Sequence, residues 1–382
     1  MITKLRISNF KSHNETFLNM NHLSVLTGVN GCGKTSVIQA LLLLRQTFLK
    51  GRLQDGLDLN NPLCSIGLAH DALYRLASTG VISIEFATDD GKDFIFEFNV
   101  DGGLKDSYIK KCRYNENAEN LSLLRSLPLF NDNFQYVSAL RWGGKSNFPK
   151  ETYAVEHQGQ ISLNNGQGEL VAHYLHKFGG DSVPNYSDLN KGMSSLLEQV
   201  IFWERKITPN VILEVEPASK MDTFNIRYGF EGDNEVKPIQ DLGAENIGFG
   251  VSYALPVIVA LLSAKPDSLI IIENPEAHLH PGGQAELAKL ITMVASTGAQ
   301  IIVETHSDHI ISGIQLACKA FSLTGLGLSA ESVKLNHFYA KYKHASVVQE
   351  IRLQENGRLE YQPKGFFDQS ELDMRVLFGN GE

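Results

Sequence analysis

Cysteine is scarce in this sequence, with 4 residues among 382, and the four positions follow no metal-binding spacing. This scarcity excludes a small disulfide-stabilised scaffold and a zinc-finger type of domain. One of the four, Cys32, lies inside a glycine-rich segment at residues 28–35, and a free thiol there indicates a reducing compartment.

Long apolar runs are absent as well. No run approaches the roughly 18–20 residues that cross a bilayer, so the sequence predicts no membrane partner. Residues 1–6 begin a strand-like pattern and contain no signal-peptide core, which leads us to expect a cytoplasmic protein. Hydrophobic residues still make up 43% of the chain, enough for a large core and one extra domain.

An excess of basic residues is also missing. Asp and Glu total 43 against 34 Lys and Arg, which gives a net charge of −9. Proteins that bind nucleic acid non-specifically usually carry a basic excess, so any DNA contact must be local. The basic cluster at residues 105–113 is more typical of a solvated face than of a DNA contact.

What the sequence does contain is the pattern G-x-x-x-x-G-K-[ST] at residues 28–35. An apolar run precedes it and a helix-forming run follows, which is the strand–loop–helix context of a phosphate-binding P-loop. Its backbone N–H groups and the helix N-terminus would cradle phosphates, with Lys34 on the β- and γ-phosphates and Thr35 on Mg²⁺. A glycine turn with a chance lysine is the alternative. The predicted ATP-binding residues of the loop are Asn30, Gly31, Cys32, Gly33, Lys34, Thr35 and Ser36.

Two later segments support the P-loop. Residues 269–272 are apolar and end in Glu273, which predicts a buried strand with a carboxylate beside the phosphate site. Residues 301–303 form a second apolar run, followed by Glu304, Thr305 and His306. A predicted helix at 283–296 separates them into a βαβ unit, and His306 is expected to sense the γ-phosphate.

The order of these motifs resembles the ABC-type ATPases of DNA metabolism and defence, namely SMC proteins, RecF and the OLD (overcoming lysogenization defect) nucleases. Residues 4–13 resemble their opening strand and "nFkS" turn, which implies nucleotide contacts for Lys11 and Ser12. Residues 273–281, E-N-P-E-A-H-L-H-P, are similar to the OLD-like Walker B and D-loop. The resemblance extends to stand-alone prokaryotic OLD-like ATPases, some of them encoded in anti-phage systems.

The segment at 246–252 occupies the place of the ABC signature but departs from L-S-G-G-Q. By this resemblance Gly248, Gly250 and Ser252 are expected to contact nucleotide. A strand at residues 134–140 is followed by Arg141, which the sequence leaves open as structural or nucleotide-proximal.

One departure concerns catalysis. The resemblance implies that Glu273 is the Mg²⁺-associated acid and that a glutamate should follow it, but the sequence has Asn274. An amide can hold a water by hydrogen bonds but cannot accept its proton. Glu276 is the candidate to replace it. We therefore expect slow ATP hydrolysis, or hydrolysis that needs a second subunit.

The resemblance implies an α/β fold: a P-loop NTPase of ABC type, with an N-terminal β-rich subdomain and an inserted, mainly helical lobe. Residues 81–86 and 94–98 predict a hairpin, as do 211–215 and 224–228. The predicted domains are an N-terminal half of the ATPase head (1–144), the inserted lobe (145–210), a C-terminal half (211–320) and C-terminal strands with a short helix (321–382). Helices are predicted at 166–178, 186–204, 253–262, 308–320 and 370–377, and strands at 333–339 and 346–353.

Three functions follow as hypotheses. The first is an ATPase that works as a nucleotide-gated homodimeric switch for a separate effector, a nuclease or toxin, with DNA as a further partner. The second is a catalytically weak ATP-binding scaffold that holds such an effector inactive. The third, a transporter's ATP-binding subunit, is disfavoured by the departure from L-S-G-G-Q.

Residues 321–382 have no clear D-x-D motif, so a TOPRIM nuclease domain is not expected. The H-x-H at 278–280 could suggest a metal hydrolase, but it sits where the D-loop belongs.

Overall fold

The computed structural model describes residues 1–101, 103–183, 192–218, 222–232, 239–342, 345–363, 366–367, 373–374 and 376–378. The strands are β1 (Ile2–Phe10), β2 (His13–Asn19), β3 (Leu23–Gly28), β4 (Gly56–Asp58), β5 (Val81–Thr88), β6 (Asp93–Asn99), β7 (Tyr108–Tyr114), β8 (Phe134–Val137), β9 (Asn147–Pro149), β10 (Val211–Pro217), β11 (Thr223–Phe230), β12 (Ile239–Leu242), β13 (Leu269–Glu273), β14 (Gln300–Glu304), β15 (Val333–Tyr342) and β16 (Ala345–Ile351). The helices are α1 (Lys34–Leu49), α2 (Ala69–Ala72), α3 (Glu116–Glu119), α4 (Leu121–Ser126), α5 (Val171–Phe178), α6 (Leu196–Ile207), α7 (Phe249–Leu262), α8 (Pro281–Ala295) and α9 (Asp308–Thr324).

A central sheet in the order β16-β15-β3-β14-β13-β8 carries the P-loop. Its neighbours from β15 to β8 pair in parallel, and only β16 is antiparallel. β13 and β14 are buried along their whole length because parallel strands are covered on both faces. Their register pairs Glu273 with Glu304, so two carboxylates end at one edge of the sheet.

Two hydrophobic cores lie on opposite faces of this sheet, as the alternation of side chains along a strand requires. Ile270 and Ile272 of β13 join the core formed with helices α6 to α9, whereas Leu269 and Ile271 join the core that contains α1. The second core also contains Ile84 and other residues of the N-terminal strands. Helix α1 is therefore enclosed between the central sheet and the β-rich subdomain.

The β-rich subdomain is an antiparallel sheet in the order β2-β1-β5-β6-β7-β4. The predicted hairpin forms β5 and β6, where Phe86 pairs with Phe94 and their rings stack at 4.8 Å. The second predicted hairpin forms β10 and β11, within a smaller sheet that also contains β9 and β12. The α/β fold with a β-rich N-terminal subdomain is thus confirmed.

The predicted lobe at 145–210 contains β9, a π-helical turn at Tyr153–His157, α5 and α6. The helix predicted from residue 166 begins only at Val171, because Gly166 and Gly168 have φ of 66° and 75° in the left-handed region. The helix predicted from residue 186 begins at Leu196, where Ser195 and Glu198 form a capping box. Residues 186–191 of that prediction lie outside the described residues, and so do residues 370–372 and 375 of the helix predicted at 370–377. The domain boundaries stay predictions.

Two further findings concern the surface. Among the described residues, no helix is long and apolar enough to span a bilayer. In the basic cluster at 105–113, Lys111 pairs with Glu119 at 2.6 Å and Arg113 with Glu97 at 3.1 Å. Acidic neighbours therefore offset part of this cluster's positive charge.

Glu204 of α6 is a buried carboxyl group without a hydrogen-bond donor to either oxygen in the described part of the chain. Burial raises the pKa of Glu204 well above its ordinary value. The folded state therefore holds a proton that the unfolded state releases above about pH 4.3. The contribution of Glu204 to stability is therefore greatest below that pH and falls as the pH rises toward the folded-state pKa.

We predict that Glu204→Met raises the free energy of unfolding by about 1–3 kcal/mol, because the unpaired polar group is removed at similar volume. The gain over the parent should grow with pH. Urea unfolding at several pH values from about 5 to about 9 measures both the gain in stability and its change with pH. The matched control is Glu214→Met on the exposed side of β10, for which no comparable gain is expected. Equal stability of Glu204→Met and parent at every pH would contradict this account.

Candidate nucleotide site

The P-loop connects β3 to α1 through a backbone that only glycine tolerates at two points. Gly28 has φ of 134°, and a Cβ there would lie 2.1 Å from the carbonyl oxygen of Phe338 in β15. Gly33, with φ of 92°, is the N-cap of α1, and its Cβ would lie 2.3 Å from Ser346 Oγ and 2.6 Å from Ser12 Oγ. The loop therefore approaches its neighbours too closely for any side chain at these positions.

A cavity of about 570 Å³ opens over this loop. Every P-loop residue predicted to bind ATP lines it, together with Lys11 and Ser12: Asn30, Gly31, Cys32, Gly33, Lys34, Thr35 and Ser36. The sequence reasoning missed Glu304, Arg75 and Ser346 of the same lining. The acidic end of the second buried strand was a signal for Glu304. No local pattern could have placed Ser346 beside a loop so distant in sequence.

Lys34 and Thr35 already make defined contacts. Lys34 Nζ donates to the carbonyl oxygens of Gly28 and Val29, at 2.9 Å each. Burial lowers the pKa of Lys34, and the charge of Glu304 opposes that shift. Thr35 Oγ1 lies 3.0 Å from each carboxylate oxygen of Glu304 and donates its proton there. Because the hydroxyl donates its proton to Glu304, its oxygen lone pairs stay available for a cation.

The turn between β1 and β2 contacts the P-loop and holds its backbone in place. His13 is buried, and its Nε2–H donates to the carbonyl oxygen of Gly33 at 3.0 Å while Nδ1 accepts from Thr16 Oγ1 at 2.8 Å. Burial lowers the pKa of His13 to about 4, so the ring is neutral at pH 7 and holds one tautomer. Ser346 Oγ donates to Ser12 Oγ at 2.7 Å, which fastens the β15–β16 hairpin to this turn.

Glu273 ends β13 but does not line the cavity. Its Oε1 accepts a hydrogen bond from Tyr136 at 3.0 Å, and its Oε2 accepts one from the Ala139 N–H at 3.2 Å. Burial raises the pKa of Glu273, and these two hydrogen bonds oppose the rise. Burial also raises the pKa of Glu304 to about 7, and the neighbouring charge of Glu273 acts in the same direction.

Asn274 has a backbone reason for being an amide. Its φ is 44°, in the left-handed region that Asn enters more easily than Glu, and its N–H donates to the Glu304 carbonyl oxygen at 2.7 Å. Its Oδ1 is buried and has no hydrogen-bond partner in the described part of the chain. This oxygen is therefore an unpaired hydrogen-bond acceptor in the described part of the chain, next to the ends of β13 and β14.

Glu276 and His306 are brought together. Glu276 Oε1 accepts the backbone N–H of His306 at 2.7 Å, and its Oε2 is buried without a partner among the described residues. Burial raises the pKa of Glu276. The His306 side chain is largely exposed. Burial of part of it lowers its pKa, and the positive charge of Lys34 acts in the same direction to a smaller extent. The predicted sensor therefore stands within electrostatic reach of the P-loop lysine.

Arg141 is a structural residue of this site. Its guanidinium donates to the carbonyl oxygens of Glu273 at 2.8 Å and Asn274 at 2.7 Å, and it lies 5.5 Å from the Tyr253 ring centroid of α7. It is buried and absent from the cavity lining. The sequence left open whether Arg141 is structural or close to the nucleotide. These contacts show that it holds the loop after β13.

The signature-like segment lies against the loop after β13 and not in the cavity. Gly248 is the N-cap of α7, and a Cβ on Gly250 would lie 2.8 Å from the His278 carbonyl oxygen. Ser252 Oγ accepts the Gly144 N–H at 2.9 Å. None of the three predicted residues of this segment lines the cavity of its own chain.

The oxygen ligands at the cavity fit Mg²⁺. A hydroxyl from Thr35 and a carboxylate from Glu304 are hard donors, and Mg²⁺ commonly takes one or two protein ligands plus phosphate oxygens and water. Within the described residues, no three His, Cys, Asp or Glu side chains converge as a transition-metal site would require.

We predict that Arg141→Met lowers the free energy of unfolding by at least about 1–3 kcal/mol, because buried carbonyl groups lose their donor. Arg141→Lys should recover only part of this, since one ammonium cannot reproduce the planar fork. Urea unfolding of both variants measures the effect. Arg125→Met on the exposed side of α4 is the control. A variant Arg141→Met that is as stable as the control would show that the arginine does not hold the loop.

Comparison with solved structures agrees with this fold. The crystal structure of an SMC head bound to the C-winged-helix domain of ScpA superposes with a TM-score of 0.56 at 14% identity, over 93% of this chain and 98% of that one. An SMC head with an extended coiled coil, bound to the C-terminal domain of ScpA derived from Pyrococcus furiosus, gives 0.51 at 12% identity, over 99% of both chains. At these identities the likeness establishes the fold alone.

Comparison of sequences adds the family. The Old nuclease of Escherichia phage P2 is 21% identical over 370 residues, which cover 81% of this chain and 57% of that protein. The chain thus spans little more than half the length of this relative. Residues 328–377 match a family described as a protein of unknown function, DUF3696. Residues 23–312 match the family described as "AAA domain, putative AbiEii toxin, Type IV TA system". Since that match spans most of the chain, the protein belongs to this family. It is similar in sequence to the Old nuclease, and it shares the fold of the SMC heads.

Proposed function

We propose that this protein binds and hydrolyses ATP and acts as a nucleotide-gated dimeric switch for a separate effector. The observation that carries the proposal is the cavity over the P-loop, which is lined by the loop itself and by Lys34, Thr35 and Glu304. Such a loop at a helix N-terminus binds phosphate through oriented donors and a partial positive charge.

Nucleotide binding would begin with an exchange of contacts. The two carbonyl contacts of Lys34 would give way to β- and γ-phosphate oxygens, which are stronger acceptors for an ammonium group. Mg²⁺, when bound, would neutralise phosphate charge beside Thr35. Lys11 Nζ, which now donates to Gln39 Oε1 at 2.7 Å, stands at the cavity wall as a second cation.

Hydrolysis would be slow in this arrangement. Asn274 can hold a water but cannot take its proton. Glu276 has a buried carboxylate oxygen without a partner among the described residues, and its other oxygen fixes the backbone of His306. We propose that Glu276 accepts the proton of the attacking water, with Asn274 orienting that water and His306 sensing the γ-phosphate.

A dimer is proposed because the signature-like segment does not line the P-loop cavity of its own chain. Gly248, Gly250 and Ser252 are outside the cavity of their own chain, so we propose that they contact the nucleotide of a second copy. Two large apolar side chains, Phe249 and Leu140, are 59% and 77% exposed beside this segment and the β8 end of the sheet. A second copy would bury them.

The effector is proposed from the relatives. The matched family is described as a putative toxin of a toxin–antitoxin system, one relative is a nuclease, and two SMC heads bind domains of ScpA. We propose a nuclease or toxin as the partner, in anti-phage defence or DNA maintenance in the cytoplasm, with DNA as a further ligand.

A second candidate function rests on Asn274. The left-handed backbone at this position favours an amide over the expected glutamate. Both carboxylate oxygens of the neighbouring Glu273 already accept hydrogen bonds. A chain that binds ATP without turnover would be a scaffold that holds a toxin or nuclease inactive. Turnover decides between the two candidates.

We predict that Lys34→Ala loses ATP binding by at least about tenfold, because the cation that faces the phosphates is removed. Isothermal titration with ATP and Mg²⁺ measures affinity, and light scattering with and without ATP measures the dimer. The exposed Lys105→Ala variant is the matched control. Unchanged ATP affinity in Lys34→Ala would overturn the assignment of the cavity.

We predict that Glu276→Gln reduces ATP turnover by about 10²–10⁴-fold, the usual contribution of a general base. The amide oxygen can still accept the His306 N–H, so ATP affinity should stay the same. Glu276→Ala removes both functions and should also weaken ATP binding. Steady-state phosphate release and ATP titration measure the two effects. Full turnover in Glu276→Gln would assign the proton to another group.

A further inference from the structure

The His13 ring contacts the last glycine of the P-loop, although His13 does not itself line the cavity. Its Nε2 lies 3.0 Å from the Gly33 carbonyl oxygen, and a Cβ on Gly33 would come within 2.8 Å of the same nitrogen. A carbonyl oxygen can only accept, so Nε2 carries the proton of this hydrogen bond. The ring is buried and meets Phe338 of β15 edge to face, which fixes the donor in place.

Thr16 holds the opposite side of the same ring. Its Oγ1 lies 2.8 Å from Nδ1, and Thr16 is buried as well. Burial lowers the pKa of His13 to about 4, and the hydrogen bond to Gly33 opposes that shift. A neutral imidazole carries one proton, so Nδ1 accepts and the hydroxyl donates. The ring therefore makes two hydrogen bonds to two different partners, and each can be removed without the other.

The Gly33 carbonyl oxygen and the Lys34 N–H belong to one peptide group. This peptide is trans and planar, so its C=O and N–H bonds point in opposite directions. The oxygen also accepts from the N–H groups of Ser36 and Val37, at 3.0 Å and 3.3 Å, and therefore points along α1. The Lys34 N–H consequently points toward the N-terminal end of the helix, where the cavity opens over the P-loop.

Glycine at the start of α1 cannot fix this peptide group by itself. Gly33 has φ of 92° and no side chain, so its own torsions restrict the backbone less than those of any other residue would. Helix ends also fray. A donor from another element is therefore needed to keep the Lys34 N–H aimed before a phosphate arrives.

We propose that His13 is a positioning residue of the nucleotide site, which holds the Gly33 carbonyl so that the Lys34 N–H faces the phosphates of ATP. The inference rests on the proposed ATP binding and adds to it a residue from outside the cavity lining. Ordering the peptide group in advance removes part of the entropic cost of binding, so the contact raises ATP affinity.

The test compares ATP affinity and the free energy of unfolding in the parent, His13→Gln, His13→Met and Thr16→Val. The amide nitrogen of glutamine stands as many bonds from Cβ as Nε2 does, so it can donate to Gly33, whereas methionine has a similar length and no donor. Thr16→Val is the matched control, because it removes a buried hydrogen bond of the same ring and leaves the bond to Gly33. Isothermal titration with ATP and Mg²⁺ and urea unfolding give the two quantities.

We expect His13→Met to bind ATP about 3–10-fold more weakly, which corresponds to the net value of one hydrogen bond. His13→Gln should regain most of that affinity, because the donor is restored. Thr16→Val should lose stability and keep the ATP affinity of the parent. Equal ATP affinity in His13→Met and the parent would overturn the inference. Losses of affinity that follow the losses of stability in all three variants would overturn it as well.

Failure of the proposed function looks different from failure of this inference. A parent protein that binds no ATP would overturn both, whereas a parent that binds ATP as tightly as His13→Met would overturn the inference alone. Where His13→Met does not fold, His13→Asn replaces it, because its amide nitrogen ends one bond short of the position of Nε2. An affinity about 3–10-fold below that of His13→Gln would then support the inference, and an equal affinity would contradict it.

Discussion

The parallel register of β3, β14 and β13 is the constraint on which the site depends. It fixes the order of three strand ends at one edge of the sheet, and each end carries a different part of the chemistry. β3 ends in the P-loop, β14 in Glu304, and β13 in Glu273. The buried apolar runs below these ends hold the register, since a slip of one residue would turn each strand's core side chains to the opposite face.

The polar contacts above the sheet convert this register into defined loops. Arg141 ties the backbone after β13 to the end of β8, and Glu276 ties the same loop to the backbone after β14. Neither contact involves the P-loop, so the loops after β13 and β14 are held by contacts outside it. Buried acceptors remain at Asn274 and Glu276 in the described part of the chain, and unpaired groups of this kind are costly unless a ligand or water uses them.

Sequence alone predicted the parts of the fold that local patterns encode. The P-loop, the two buried strands and both hairpins depend on residue spacing and turn chemistry, and the structure has them where the sequence places them. The starts of α5 and α6 were wrong, because Gly166 and Gly168 and the Ser195 cap override helical periodicity. Local patterns cannot give the order of strands within a sheet. The sequence therefore did not indicate the contact between Glu304 and Thr35, and the assignment of Glu273 to Mg²⁺ stays a prediction.

The hydrogen bond between Ser346 and Ser12 joins residues 334 positions apart. A ribosome adds about 5–20 residues each second, so roughly 20–70 s pass between the emergence of these two partners. The P-loop is synthesised well before β15 and β16, which form one wall of its cavity. A nascent chain therefore cannot assemble the complete pocket until these two strands have emerged.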